Sequence, residues 1–310
     1  MITLGVDTSN YTTSVALYDD ATGDMTSVRR LLRVKPGELG LRQSEALFQH
    51  TVALPELMGE LFRRRDLRPN AVGVSVKPCD FEGSYMPCFL AGKSAAESLA
   101  AAMGIPVFPF SHQAGHIAAV LYDAKRTDLA DRDFLAFHVS GGTTDAVLVR
   151  PGTDAPFVIE KQAGSLDLKA GQAIDRVGQL LGLPFPAGKA LDALSLQSEK
   201  TYRVKPFIRD GSVSLSGVEN KCRRMLADGA SPADIAKYCL TFIVAAVDAM
   251  ARSLTEAYPG LPLVFSGGVS ANTLLREHMT ARFGAVFSLN GFGTDNAAGA
   301  AYLAAKRSVL

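Results

Sequence analysis

The chain has 310 residues, 47% of them apolar and 20% charged, a mixture that excludes disorder and fibre and supplies core for one large or two moderate domains. Its 32 Lys plus Arg against 31 Asp plus Glu leave a net charge of +1, which excludes coating of nucleic acid by bulk charge but not local basic patches. Four scattered cysteines (Cys79, Cys88, Cys222, Cys239) without a C-x-x-C pair argue against a disulfide scaffold or a cysteine zinc site, so a cytoplasmic location is expected.

The start, Ile2-Thr3-Leu4-Gly5-Val6-Asp7, lacks the basic and apolar regions of a secretory signal. It alternates apolar and polar residues, as does TSVALYD after the turn TSNYT, which predicts a hairpin. Ser44 to Phe62 has Leu47, Val52, Leu54, Leu57, Met58 and Leu61 at near-helical spacing and ends in Arg63-Arg64-Arg65. AVGVSV (71–76) reads as a buried strand. Ala91 to Met103 reads as a helix stopped by Gly104, and IPVFPF as a strand leading to Ser111, a helix N-cap.

A second hairpin is expected at Asp133 to Val149, FLAFHV–SGGTTD–AVLV. Lying about 130 residues after the first, it suggests two related halves. Asp167 to Gly182 reads as an amphipathic helix with Ala170, Ala173, Ile174, Val177, Leu180 and Leu181 on one face, followed by the loop LPFPAGK. A long helix from Ser231 to Tyr258 contains the most apolar run, Tyr238 to Val247. Bounded by Lys237 and Asp248, that run is shorter than the roughly 18 residues of a membrane span. Then come the strand LPLVFS, the turn GGVSAN, the helix LLREHMTARF, the strand GAVFSL and a last helix opened by TDNAAG. Strands alternating with helices predict an α/β architecture with mixed sheets and two lobes, 1–122 and 123–310.

Three turns of small residues follow strands: Asp7-Thr8-Ser9, Ser140-Gly141-Gly142-Thr143-Thr144-Asp145 and Ser266-Gly267-Gly268-Val269-Ser270-Ala271-Asn272. Any one is explained as an ordinary turn. Three at strand ends point to a nucleotide-phosphate site, because glycine admits a close backbone approach and exposed N–H groups attract anions. His112 and His116, four apart, would share a helix face and suit one metal ion, with surface or capping histidines as the alternative. His138 ends the strand before the SGG turn. Asp295 offers an oxygen ligand or caps the last helix. No Glu follows His112, so a zinc peptidase is disfavoured and a metal would act as Lewis acid or template.

Asp7 can orient a nucleophile or a metal-bound phosphate, or serve as an Asx-turn residue. Asp175 sits mid-helix on the polar face, near the PAG loop. The basic runs Arg29-Arg30-Leu31-Leu32-Arg33-Val34-Lys35, Arg63 to Arg68 and Lys221 to Arg224 can follow a phosphate backbone or be solvated helix ends.

In order, DTSNYTTSVALYDD, SHQAGH, HVSGGTTDAVLV, AGQAIDRVGQLLGLPFPAG, FSGGVSANTLLRE and GTDNAAGAAYLA resemble the tRNA threonylcarbamoyladenosine transferase family, the TsaD-like proteins once called O-sialoglycoprotein endopeptidases. The resemblance spans nearly the whole chain. It implies the actin, hexokinase and heat-shock-chaperone ATPase fold, two ribonuclease-H-like lobes around a nucleotide cleft. It also implies transfer of threonylcarbamoyl from threonylcarbamoyl-adenylate to an adenosine of tRNA, with other subunits of the threonylcarbamoylation machinery as partners and no membrane.

By this resemblance His112, His116 and Asp295 would hold one divalent metal, iron or zinc, and Asp7 would be catalytic. His138, where some relatives have a metal-reaching tyrosine, would line the acyl-phosphate region with Val139, Ser140, Gly141 and Gly142. Asp175, Gly188 and Asn272 would hold the nucleoside of an adenine nucleotide or acyl-adenylate.

The chain departs from the family pattern at Asn10 to Thr13, where acidic residues are usual, and at Lys77 to Pro87, where G-P-G is usual. It departs again at Asp145, in place of Gln, and at Pro186-Ala187-Gly188-Lys189, in place of P-G-G-P. These changes mark a divergent paralogue. They leave two alternatives open: another carbamoyl- or phosphotransferase of the same fold, or a non-catalytic nucleotide-binding partner of a true transferase.

Overall fold

The computed structural model describes residues 1–9, 11–34, 41–153, 155–289 and 295–308, so Asn10, Lys35 and Thr294 lie outside the described residues. In chain order the first elements are β1 (Ile2–Asp7), β2 (Thr12–Asp19), β3 (Asp24–Leu31), α1 (Gln43–Arg64), β4 (Ala71–Lys77), α2 (Phe89–Met103), β5 (Val107–Ser111) and α3 (His112–Asp123). There follow β6 (Phe134–Val139), β7 (Thr144–Pro151), β8 (Phe157–Gly164), α4 (Ala170–Leu180), α5 (Gly188–Ser195), β9 (Phe207–Arg209) and β10 (Ser212–Ser214). The chain ends with α6 (Gly217–Ala227), α7 (Pro232–Ala257), β11 (Leu263–Ser266), α8 (Thr273–Phe283), β12 (Val286–Phe287) and α9 (Asn296–Arg307).

Two five-stranded sheets share one topology. The first runs β3-β2-β1-β4-β5 and the second, read from its other edge, β8-β7-β6-β11-β12. In each, the first strand pairs antiparallel with its hairpin partner and parallel with the strand that follows a long crossover. The two predicted hairpins are therefore equivalent parts of two repeated α/β sheets, and each parallel pair aims its carboxyl end at a turn of small residues.

The sequence reading missed β3 and left the Arg29 to Lys35 run either following a phosphate backbone or as a solvated helix end. Arg29 and Arg30 instead stand on this edge strand, paired with β2 through Ser14 and Thr13. Only Val28 of this strand is buried, so the sequence shows no period-two pattern there. Val52 is another correction: it is 52% exposed, while Leu54, Leu57 and Leu61 carry α1 onto the sheet.

Contacts divide the chain into two units. One comprises Met1–Ala130, Pro151–Val158 and Ser288–Leu310, and the other Asp131–Arg150 and Ile159–Phe287. The expectation of a single cut after residue 122 differs from this, because the final helix returns to the first unit. The cause is steric. A Cβ on Gly5 of β1 would overlap the Ala297 carbonyl oxygen, and one on Gly73 of β4 that of Ala300, so α9 rests directly on the strand backbones.

The core of the first unit is Leu4, Val6, Val15, Leu17, Val72 and Val74 against α1 and α2. In the second unit Leu135, Phe137, Val139, Leu263 and Phe265 pack against α4 and α7. There Phe137, Phe265 and Phe287 stack with centroid separations of 4.7 and 4.9 Å. Tyr238 to Val247 lies inside α7 as a buried helix segment, and no helix among the described residues is long and apolar enough to cross a membrane.

Candidate functional site

In the first unit, three elements bring their polar ends together: the end of β1, the start of α3 and the start of α9. Asp7, 1% exposed, ends β1. Its Oδ1 accepts from the backbone N–H and the hydroxyl of Ser9 at 3.0 and 2.6 Å, and its Oδ2 lies 2.9 Å from His112 Nδ1. Burial alone would raise this carboxyl, but the charge of His112 and the hydrogen bonds from His112 and Ser9 outweigh it and hold the pKa at about 2. Asp7 is thus a buried carboxylate beside an imidazole that favours its charged form.

The Ser111 hydroxyl accepts from Ala114 N at 3.1 Å, which sets the first turn of α3 and the direction of His112. The same hydroxyl donates to Asp80 at 2.6 Å, and Gln113 N donates to the Pro78 carbonyl at 3.0 Å. The segment from Lys77 to Pro87 is therefore fastened to the helix start that carries the histidines.

The rings of His112 and His116 meet edge to face with centroids 4.4 Å apart, as the spacing of four on a helix predicts. The Asn296 amide nitrogen lies 2.7 Å from His112 Nδ1 and 3.3 Å from His116 Nε2. Asn296 is 5% exposed and its Oδ1 is buried without a hydrogen-bond partner among the described residues. Sequence reasoning passed over Asn296 because its neighbour Asp295 is the stronger ligand type. Its position at the head of a helix was the one signal available.

Asp295 caps α9 by accepting from Ala298 N at 3.3 Å. Burial raises its pKa, and the nearby Asp7 charge adds to this against Ser27, Ala298 and Arg29. Two imidazoles with a buried, unpartnered amide oxygen beside them are donors that a divalent ion of borderline softness accepts. Asp295 is the adjacent residue but turns to its cap, and among the described residues no three His, Cys, Asp or Glu side chains form a metal-holding group.

The second unit gathers the other motifs at the ends of β6 and β11. The register sets His138 between Asp145 of β7 and Ser266 of β11. His138 Nδ1 lies 3.0 Å from Ser266 Oγ, and Nε2 lies 3.1 Å from Ser140 Oγ. Gly171 N donates to the Ser140 carbonyl at 3.1 Å, joining the SGG turn to the start of α4. A Cβ built on Gly141 or Gly142 would meet nothing within 4 Å, so open space adjoins this backbone. Asp145, at the departure from Gln, makes an ion pair with Lys161 at 2.9 Å.

Asp175 Oδ1 accepts from Ala187 N at 2.8 Å and so fastens the PAG loop next to Gly188, the first residue of α5. Burial raises the pKa of Asp175 against that hydrogen bond. Asn272 caps α8 by accepting from Leu275 N at 3.0 Å and donates to Asp192 Oδ1 at 2.6 Å. Asp192 also accepts from Thr273 N and its hydroxyl. Nothing local in the sequence marks Asp192, whose role depends on a contact 80 residues away.

The profile of the family described as tRNA N6-adenosine threonylcarbamoyltransferase (TsaD) matches residues 34–302. Relatives bearing that name are 32% identical over 201 residues in Streptococcus suis strain 05ZYH33 and 33% identical over 204 residues in Streptococcus pneumoniae strain Taiwan19F-14. Each alignment covers 62% of this chain and 57% of the relative, so the match spans little more than half of those proteins.

Among solved structures, the chain is similar to full-length HypF in its phosphate- and nucleotide-bound form, with TM-score 0.62, 15% identity and coverage of 98% of this chain and 55% of that one. It is similar to the activator of the 2-hydroxyisocaproyl-CoA dehydratase from Clostridium difficile with bound ADPNP, with TM-score 0.52, 13% identity and coverage of 100% and 97%. A ROK hexokinase from Thermus thermophilus gives TM-score 0.53, 16% identity and coverage of 100% and 99%. These likenesses show the fold, the two-lobed α/β architecture of the actin-like ATPases and sugar kinases.

Proposed function

The chain belongs to the tRNA N6-adenosine threonylcarbamoyltransferase family, and on that premise we propose that it transfers a threonylcarbamoyl group from threonylcarbamoyl-adenylate to an adenosine of tRNA. The observation that carries this reading is the meeting of Asp7, His112, His116 and Asn296, from three separated motifs, in one polar cluster in which His112 alone is partly exposed. In the same reading the protein is cytoplasmic and works with other subunits of the threonylcarbamoylation machinery.

A divalent metal, iron or zinc, would be held by His112 and His116 with the Asn296 amide oxygen beside them and Asp295 next to it in the chain, and when bound would supply Lewis-acid polarisation of the substrate oxygen. The chain's own residues do the rest. Asp7 keeps its charge, orients the imidazole of His112 and holds Ser9. Gly141 and Gly142 let the acyl-phosphate lie against the backbone, beside His138, Val139 and Ser140, where N–H groups stabilise the charge that grows on its oxygens. Asp175, Gly188 and Asn272 shape the nucleoside end, with Asp175 positioning the PAG loop and Asn272 held by Asp192.

Supply of the protein to a strain lacking its own transferase tests this reading. Return of the modified nucleoside in tRNA hydrolysates supports it, and absence of the product with folded protein present overturns it. The Asp145–Lys161 pair, at the position where the family has Gln, favours a second reading, a carbamoyl- or phosphotransferase with a different acceptor. In that case adenine nucleotide binds but tRNA remains unmodified.

A further inference from the structure

Ser140, His138 and Ser266 form a hydrogen-bonded row that holding a phosphate does not require. Ser140 Oγ accepts from Thr143 N at 3.1 Å, which leaves its own hydrogen to be donated. The near acceptors are His138 Nε2 at 3.1 Å and the Thr143 carbonyl at 3.4 Å. On the other side of the ring, Nδ1 lies 3.0 Å from Ser266 Oγ, and that hydroxyl is 3.4 Å from the Phe137 carbonyl. One tautomer satisfies the whole row: Ser140 donates to Nε2, Nδ1 donates to Ser266, and Ser266 donates to the Phe137 carbonyl.

A hydroxyl within reach of an imidazole whose other nitrogen is fixed by a third group is the arrangement of an activated nucleophile. The row has a rigid support. His138 and Ser266 are directly opposed in a parallel strand pair, and Ser266 is 5% exposed. Ser140 and His138 themselves are only partly buried. Next to Ser140 lie Gly141 and Gly142, with open space where a Cβ would stand, so a carbonyl can approach both the hydroxyl and the turn backbone.

We propose that Ser140 is an acyl-accepting nucleophile, with His138 as its general base and Ser266 as positioning residue, and that the acyl group of an acyl phosphate rests on Ser140 before reaching its acceptor amine. The inference rests on the transfer reading above for the class of donor. In the first step the bond from Oγ to the acyl carbon forms, the bond from that carbon to the phosphate oxygen breaks, and the phosphate leaves. The Ser140 proton passes to His138 Nε2 and is released to the departing phosphate or to water. In the second step the amine attacks the same carbon, gives its proton to Nε2, and that proton returns to Oγ as the ester bond breaks. No oxidant or reductant is involved.

The test uses the full chain with p-nitrophenyl acetate and, separately, acetyl phosphate as acyl donors, read by intact mass, by peptide mapping and by the burst of p-nitrophenolate. Expected are one acetyl group on Ser140, its loss in Ser140→Ala, and acylation slowed by about 10²-fold or more in His138→Gln. Ser266→Ala slows acylation and shifts its pH profile, and Ser266→Thr restores both. Should Ser140→Ala not fold, Ser140→Cys carries the test, its thiol taking the acyl group at the same position. No adduct on the wild type, or an adduct mapped elsewhere, overturns the proposal. Threonylcarbamoylated tRNA formed without any acyl-Ser140 sinks this inference and leaves the transfer reading standing. An acyl-Ser140 without tRNA product does the reverse.

Discussion

The Asp7 carboxylate and the His112 imidazole, 105 residues apart in sequence, meet at 2.9 Å between Oδ2 and Nδ1 at the joined ends of β1 and α3. Both Ser9 donors also end on Asp7, so Asp7→Ala leaves buried donors without an acceptor, at about 1–3 kcal/mol for each such group. A loss of about 3 kcal/mol in urea unfolding is expected. Asp7→Asn, which keeps an acceptor oxygen, loses less stability but lowers transfer as strongly.

Elemental analysis checks the reading of the paired histidines. Stoichiometric metal in the wild type is expected to disappear in the His112→Ala, His116→Ala double variant, with folding retained by circular dichroism. Asn296→Ala is expected to weaken metal retention, because the buried amide lies within 3.3 Å of both rings. Equal metal in wild type and double variant would remove the site.

Two groups of glycines are expected to respond in opposite ways. Gly5→Ala and Gly73→Ala press a Cβ into the backbone of α9 and are expected to cost about 3 kcal/mol or more, since overpacking here meets carbonyl groups that cannot rotate away. Gly141→Ala and Gly142→Ala meet open space, so their thermal midpoints stay near wild type while affinity for an adenine nucleotide or acyl phosphate falls. Thermal unfolding with equilibrium binding separates the two.

Asp175 gives a pH-dependent test. Burial raises its folded pKa above the unfolded value, so this group costs stability as pH climbs from the unfolded pKa through the folded one, and the cost stays constant above. Asp175→Asn, which can still accept from Ala187 N, is expected to be more stable than wild type at neutral pH and equal to it below about pH 4. Nucleotide affinity is expected to fall in the same variant. Urea midpoints across pH supply the check.

Asn272 separates a cap from a recognition group. Asn272→Ser retains an oxygen for Leu275 N, so the helix start survives, whereas Asn272→Ala costs about 1 kcal/mol through the lost cap. Both lose the hydrogen bond to Asp192. Equal loss of nucleotide affinity in the two variants is expected if the amide reaches the nucleoside. A loss confined to Asn272→Ala would assign the residue to the fold alone.

Alternation, helical spacing and capping residues are properties of neighbouring positions, and they were enough to read both hairpins, α1, α2, α3, α4, α7, the Ser111 cap, the Asp295 cap as one of two readings, and the pairing of His112 with His116 on one helix face. The order of the motifs was enough for the family. Missed were β3, a polar edge strand, the elements β8, α5, β9, β10 and α6, and the exposure of Val52, which depends on which way α1 rolls. Distant partners decided the rest. The return of α9 to the first unit follows from the missing side chains of Gly5 and Gly73 beneath it, a fit that neither segment reveals alone. Asn296 lies between two imidazoles, Asp192 clamps Asn272, and Ser266 lies opposite His138, because strand register and helix docking set those distances. Local chemistry named the candidate residues. Only tertiary packing decided which side chains they touch, since a hydrogen bond requires atoms about 3 Å apart and sequence separation carries no such distance.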